Sequence, residues 1–162
     1  MINRRSGLTL PDRRWFWKTL VAGLCGMIAH WLLMFFKARS GLLPTFNPYA
    51  LLQAMFTRIT GETVNPTVPW LLSFLNGFIV ISLVFRLLYR WLPGRNGALK
   101  GFVFGFLGWA FMNLMFFPML GIGAFALNAG LGMSPALFSF AMVQTYSVVM
   151  GTVYGVLNDR LG

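Results

Sequence analysis

Few side chains here could do chemistry. The 162-residue chain has one histidine, His30, one cysteine, Cys25, and three carboxylates, Asp12, Glu62 and Asp159. All three acids lie outside the long apolar runs, so the carboxylate pairs needed for acid/base hydrolysis or a hard-metal site are missing. A single Cys and a single His exclude an intrachain disulfide and a His/Cys zinc cluster made by one copy. His30 and Cys25 are offset by five positions and have no group to orient a base, so no enzyme is expected. What remains is a set of polar residues inside the apolar runs: His30, Asn76, Asn113 and Gln144, one per run.

Their spacing gives them a common depth. His30 is six residues before Phe36, Asn76 seven after Pro69, Asn113 seven before Leu120 and Gln144 nine after Pro135. At 1.5 Å per helical residue this is roughly 9 to 14 Å below one boundary of the runs. A lipid-facing amide is costly, so all four are expected to point inward. As interhelical hydrogen-bond glue each contact contributes about 0.6 kcal/mol. The sharper alternative is a small polar site, in which His30 titrates or ligates and the amides orient a quinone head group, a pigment carbonyl or a solute. Gly26, one turn before His30, leaves room for a flat tetrapyrrole against the backbone. One histidine cannot supply two axial ligands, so a haem would need a second copy, a partner histidine or five-coordinate iron. A structural histidine with no cofactor is the simpler expectation.

The elements that position these residues follow from composition. The chain is 57% hydrophobic and 10% charged, against a charged share of about 25% in soluble domains. Four runs can span a bilayer: Trp15 to Phe36, Pro69 to Trp91, Leu99 to Leu120, and Pro135 to Leu157. Pro69 and Pro135 suit a first helical turn, and Ser134 is a candidate N-cap. The expected fold is an all-α membrane bundle of four transmembrane helices in one domain, residues 1–162. Arg4, Arg5, Arg13, Arg14, Lys18, Arg86, Arg90, Arg95, Lys100 and Arg160 flank one face, against Lys37, Arg39 and Arg58 on the other. By the positive-inside rule both termini are cytoplasmic. The net charge of +10 sits at helix ends and forms no groove-binding patch, so nucleic acid is not an expected partner. Trp15, Trp17, Tyr89, Trp91 and Trp70 fit interfacial aromatic belts. Arg13-Arg14 followed by Phe16 and Lys18 has the form of a twin-arginine export signal, but a run this long with three more behind it is expected to stay as an uncleaved helix.

Two patterns recur. Leu33-Met34-Phe35-Phe36 returns as Leu114-Met115-Phe116-Phe117, and Pro69, Leu71, Ser73 and Phe74 match Pro135, Leu137, Ser139 and Phe140. They point to two helical hairpins of parallel topology. The first hairpin then carries an extra amphipathic helix over about 48–59, with Asn47 as cap, Pro48 at the first position and Gly61 as stop. Leu51, Leu52, Met55, Phe56 and Ile59 share its apolar face, so it should lie flat on the outer membrane surface or against a partner. The uncharged loop from Gly121 to Gly132 suits burial against protein, or a short re-entrant piece. Gly101, Gly105 and Gly108, then Ser147, Gly151 and Gly155, then Ala22, Gly26 and Ala29 form stripes that permit close helix approach. Pro118 is expected to bend the third span.

The stretch from Gly23 to Pro48, with Gly-x-x-Gly, the histidine and Ser40-Gly41-Leu42-Leu43-Pro44 leading into Asn47-Pro48-Tyr49, resembles small four-helix bacterial inner-membrane proteins of unknown function. The resemblance runs over most of the chain, including the turn from Pro118 to Gly123. It implies topology and a bacterial inner-membrane location, and it carries no assigned site. The function expected first is an accessory or scaffolding subunit, meeting other membrane subunits or a second copy through its small-residue faces and apolar loops. The alternatives are a small-solute carrier, or a quinone- or tetrapyrrole-binding protein that uses the polar layer. A carrier lacks any membrane-buried Asp, Glu or Lys with which to couple transport to ions.

Overall fold

A computed structural model describes residues 14–41 and 47–161. Arg4, Arg5, Asp12, Arg13 and the Leu42-Leu43-Pro44 portion of the pattern above lie outside the described residues. The described residues form α1 (Arg14–Ser40), α2 (Pro48–Thr60), α3 (Thr67–Leu88), α4 (Gly97–Met119) and α5 (Ser134–Leu161), with no strand among them. All but α2 are long and apolar enough to cross a membrane, so this is a multi-pass membrane protein of four spans. Its lipid-facing surface is what water would not tolerate: Leu87 is 70% exposed, Leu137 64% and Phe36 64%.

Local chemistry sets the helix ends. The Asn47 side chain accepts from the N–H groups of Tyr49 and Ala50 at 3.2 and 3.3 Å, Pro48 follows at a first-turn position, and Gly61 closes α2 at φ 76°. Asn65 accepts from Thr67 N–H at 2.9 Å, which starts α3 ahead of Pro69. Asn96 accepts from Leu99 N–H at 2.8 Å and caps α4. Ser134 is the first residue of α5 rather than the residue before it.

The fourth span, α5, packs along much of its length against both α1 and α4. Glycine makes this possible. A Cβ on Gly101 would fall well inside contact distance of the Ser147 carbonyl, and one on Gly151 would fall 2.8 Å from the Gly101 Cα. On the other flank a Cβ on Gly26 would fall 2.9 Å from the Tyr146 ring. The stripes therefore pack within the chain. Gly108 departs from its stripe, because a Cβ there would meet nothing within 4 Å.

Toward the end where α1 begins and α5 stops, the four spans close around Phe85, Phe104 and Tyr154. The Phe85 ring lies 5.1 Å from Phe104 and 5.9 Å from Tyr154, and Lys100 Nζ donates to the Tyr89 carbonyl at 2.7 Å. This is where α3 and α4 meet; toward the opposite end they part. The sequence repeat is thus not expressed as two-fold packing, since the close contact of α1 with α5 has no counterpart between α3 and α4.

At the α2 end a second core forms from Phe117, Leu120, Ile122 and Ala126, and Leu51, Leu52 and Met55 pack against it. Leu51, Leu52 and Met55 of the apolar face of α2 are therefore engaged with their own chain, whereas Ile59, 72% exposed, projects away from the bundle. The loop after α4 folds into a 3-10 turn, Ala124–Ala129, with Phe125 and Ala126 at left-handed φ of 54° and 58°. Trp109 Nε1 donates to the Ala136 carbonyl at 3.0 Å and its ring lies 5.7 Å from Phe125, tying this loop to α4 and α5.

Neither α3 nor α4 is α-helical throughout. The first widens to a π-helix over Asn76–Ile81 and the second over Met112–Phe116. The expected disturbance at Pro118 takes this form: its ring crowds the carbonyl four residues back, at Leu114, and the widened segment spans that position.

Candidate functional site

Where α3 and α4 part, a cavity of about 530 Å³ opens beneath α2. Met27, His30 and Met34 of α1 line it, as do Leu72, Ser73, Asn76 and Gly77 of α3. From α4 come Phe104, Gly108, Phe111, Met112 and Phe116, and from α5 Ser139, Met142, Tyr146 and Ser147. Tyr49, Leu51 and Leu52 of α2 close the top. The lining residues of α5 are mostly buried, whereas Leu72 and Asn76 of α3 and Gly108 and Phe111 of α4 are exposed. The cavity therefore opens sideways between α3 and α4, toward the surrounding apolar phase. Both π-helical segments border it, and such segments gather at functional sites because they free or redirect backbone groups.

Most polar groups on the wall are satisfied by the protein. Tyr146 Oη donates to the Gly77 carbonyl, inside the widened turn, at 2.5 Å. Ser139 Oγ donates to the Ala136 carbonyl at 2.8 Å, and Tyr49 shares a hydrogen bond with Ser73. Burial in this roof pushes the Tyr49 phenol above its ordinary pKa, with the Ser73 bond acting the other way, so it stays a neutral hydroxyl. The His30 ring donates to the Met142 carbonyl. Ser147 and Asn76 are the exceptions, with no side-chain hydrogen-bond partner among the described residues; Ser147 is buried, whereas Asn76 is exposed rather than turned into the protein as expected.

The four polar residues do not form one layer. His30 and Asn76 share the cavity, and the other two do not line it. Gln144 is buried in the α4–α5 seam; with its amide turned so that each end meets its complement, the nitrogen donates to the Phe102 carbonyl at 3.3 Å and the oxygen accepts from Phe106 N–H at 3.1 Å. That is interhelical glue. Asn113 is fully buried, donates to the Trp109 carbonyl of its own helix at 2.8 Å, and leaves its oxygen without a partner. Gln144→Leu is therefore expected to lower bundle stability by about 1 kcal/mol, while Asn113→Leu is neutral or stabilising because it removes an unmet acceptor. Thermal unfolding of the two variants in one detergent checks the order; equal losses would show that Asn113 also bridges helices.

The room for a tetrapyrrole, the alternative weighed at Gly26, is taken up by the chain itself. The space beside Gly26 is filled by Tyr146, whose ring and carbonyl would lie 2.9 Å from a Cβ there, so no flat macrocycle fits between that glycine and the histidine. Cys25 is half-buried and free, and no group of three His, Cys, Asp or Glu that could hold a metal occurs among the described residues. Sequence reasoning missed Tyr146, Gly108 and the methionines. Their available signals were a tyrosine in mid-span and ten methionines in one short chain, since Met suits adaptable apolar sites.

Residues 14–161 match the model of the Family of unknown function (DUF6789), and the chain belongs to that family. No curated protein and no solved structure matches it.

Proposed function

We propose that this protein is a non-enzymatic component of the bacterial inner membrane that binds a lipid-soluble molecule with a small, uncharged polar head. Its termini and the loop at Arg95 face the cytoplasm by the cation bias, which puts the cavity in the periplasmic half of the bilayer. The observation that carries the reading is Asn76. An amide left unpaired at hydrocarbon depth costs free energy unless something meets it, and it faces a cavity that is open to lipid and mostly apolar. A quinone or quinol head, or another lipid with one or two oxygens, suits that wall. The features that motivated a subunit role, the glycine stripes, the α2 face and the loop after α4, are engaged inside the chain.

Native mass spectrometry of the protein released from mild detergent tests this. The parent is expected to retain a lipid-soluble molecule that Asn76→Leu loses at least partly, by a factor of about ten, one hydrogen bond in an apolar site. A parent that carries nothing, or an Asn76→Leu variant that carries it undiminished, would remove the reading. The orientation has its own check: reporter fusions at Arg95 and Arg160 should be cytoplasmic, and those at Glu62 and Asn128 periplasmic. The opposite result would move the cavity to the cytoplasmic leaflet.

A further inference from the structure

We infer that the cavity selects a neutral lipid alcohol, whose hydroxyl donates to His30 and accepts from Asn76. The inference rests on the binding role proposed above and adds the chemistry of the head. Three observations support it. First, α1 and α3 approach closely at Met27 and Gly77, where a Cβ would fall 2.6 Å from the Met27 sulfur. That contact brings His30, one turn on, and Asn76, the neighbour of Gly77, to the same wall, and both line the cavity. Second, the His30 ring has one nitrogen committed as donor to the Met142 carbonyl. A charged imidazole at hydrocarbon depth is costly and no carboxylate among the described residues lines this cavity, so the ring is neutral and its other nitrogen is a lone-pair acceptor. Third, no Lys, Arg, Asp or Glu is among the described residues that line the cavity, so a phosphate or ammonium head would be desolvated with nothing among them to balance it.

Each class of head group fares differently on this wall. A ketone, ester or ether oxygen accepts from the Asn76 amide and leaves the His30 nitrogen unmet. A hydroxyl serves both, since it has one hydrogen to give and lone pairs to receive. The chain of such a lipid leaves between α3 and α4, where Leu72 and Phe111 are exposed at the opening.

The test offers the detergent-purified full chain an equimolar mixture of geranylgeraniol, its methyl ether and its monophosphate, and reads retention of each by native mass spectrometry. The alcohol is expected to be retained about tenfold over the ether, and the phosphate not at all. His30→Leu should lower alcohol retention to the level of the ether and leave the ether unchanged. Asn76→Leu should weaken alcohol and ether alike and preserve their ratio. Equal retention of alcohol and ether by the parent, or of the phosphate and the alcohol, overturns the inference while the binding role stands. Retention of none of the three overturns both. The parent series needs no variant to fold, so a His30→Leu chain lost to aggregation leaves the test intact.

Discussion

Gly101→Leu and Gly151→Leu are expected to abolish the folded bundle. Each glycine lies where α4 and α5 touch backbone to backbone: a Cβ on Gly101 would penetrate the Ser147 carbonyl, and one on Gly151 would come within 2.8 Å of Gly101 Cα and 2.9 Å of Gly101 N. The neighbours are main-chain atoms, so no side chain can turn aside, and the helices must separate along a seam that also holds Gln144. Overpacking a well-fitted core typically costs 1–3 kcal/mol; with rigid backbone opposite, more than about 3 kcal/mol is expected here. Phe102→Leu and Val148→Leu, one and three positions away on exposed or half-exposed faces, should cost little. The comparison is read as monodisperse yield and unfolding temperature in detergent. Matching behaviour of the four variants would mean that the glycine seam is not what holds α4 to α5.

The same seam shows how far sequence reasoning reaches. Two helices with Gly101 and Gly105 on one and Ser147 and Gly151 on the other, each pair at four-residue spacing, announce a close contact, because the requirement is local and compositional. The four spans were legible for a similar reason, and so was α2, whose Asn47, Pro48 and Gly61 are local capping signals. What escaped depends on relations between distant segments. Gly108 belongs to the same stripe as Gly105, and nothing in the spacing reveals that α3 has moved away from it. The room read beside Gly26 is occupied by Tyr146, some 120 residues on. Equal depth put Asn113 and Gln144 in one layer with His30, but depth fixes only one coordinate; the direction each helix turns its side chain sent these two away from the cavity. Of the two π-helical turns, Met112–Phe116 has a compositional mark in Pro118, whereas Asn76–Ile81 has none, and they sit at or beside the two asparagines.

Those widened turns account for how a mid-membrane cavity is tolerated. A π-turn misaligns backbone carbonyls with their usual donors, which in hydrocarbon demands another partner. Tyr146 supplies one by donating to Gly77, and Ser82 supplies another by donating to the Phe78 carbonyl at 2.6 Å. The cavity wall is thereby held by α5 rather than by contact between α3 and α4, and the opening between those two spans can persist without exposing unmet main chain.

Gly108→Phe should then do the opposite of the seam variants: it should keep the fold and empty the site. A side chain on a helix leans toward the preceding turn, so the new ring would lie over Phe104 at the bottom of the cavity, in space where no atom stands within 4 Å of the Cβ. Burying it there is expected to raise stability by up to about 2 kcal/mol. Any molecule that uses the cavity should be displaced, with native mass spectra showing retention down by more than about tenfold and the unfolding temperature held or raised. Gly105→Phe, three residues earlier, faces the Gln144 side-chain amide at 2.8 Å and Ser147 Cβ at 2.9 Å and should fail to fold, so the pair separates filling a void from breaking a seam within one turn of one helix. A Gly108→Phe protein that unfolds as Gly105→Phe does would show that α3 and α4 close together in the membrane. One that stays folded and retains its lipid would place that lipid on the outer surface of the bundle, outside the cavity.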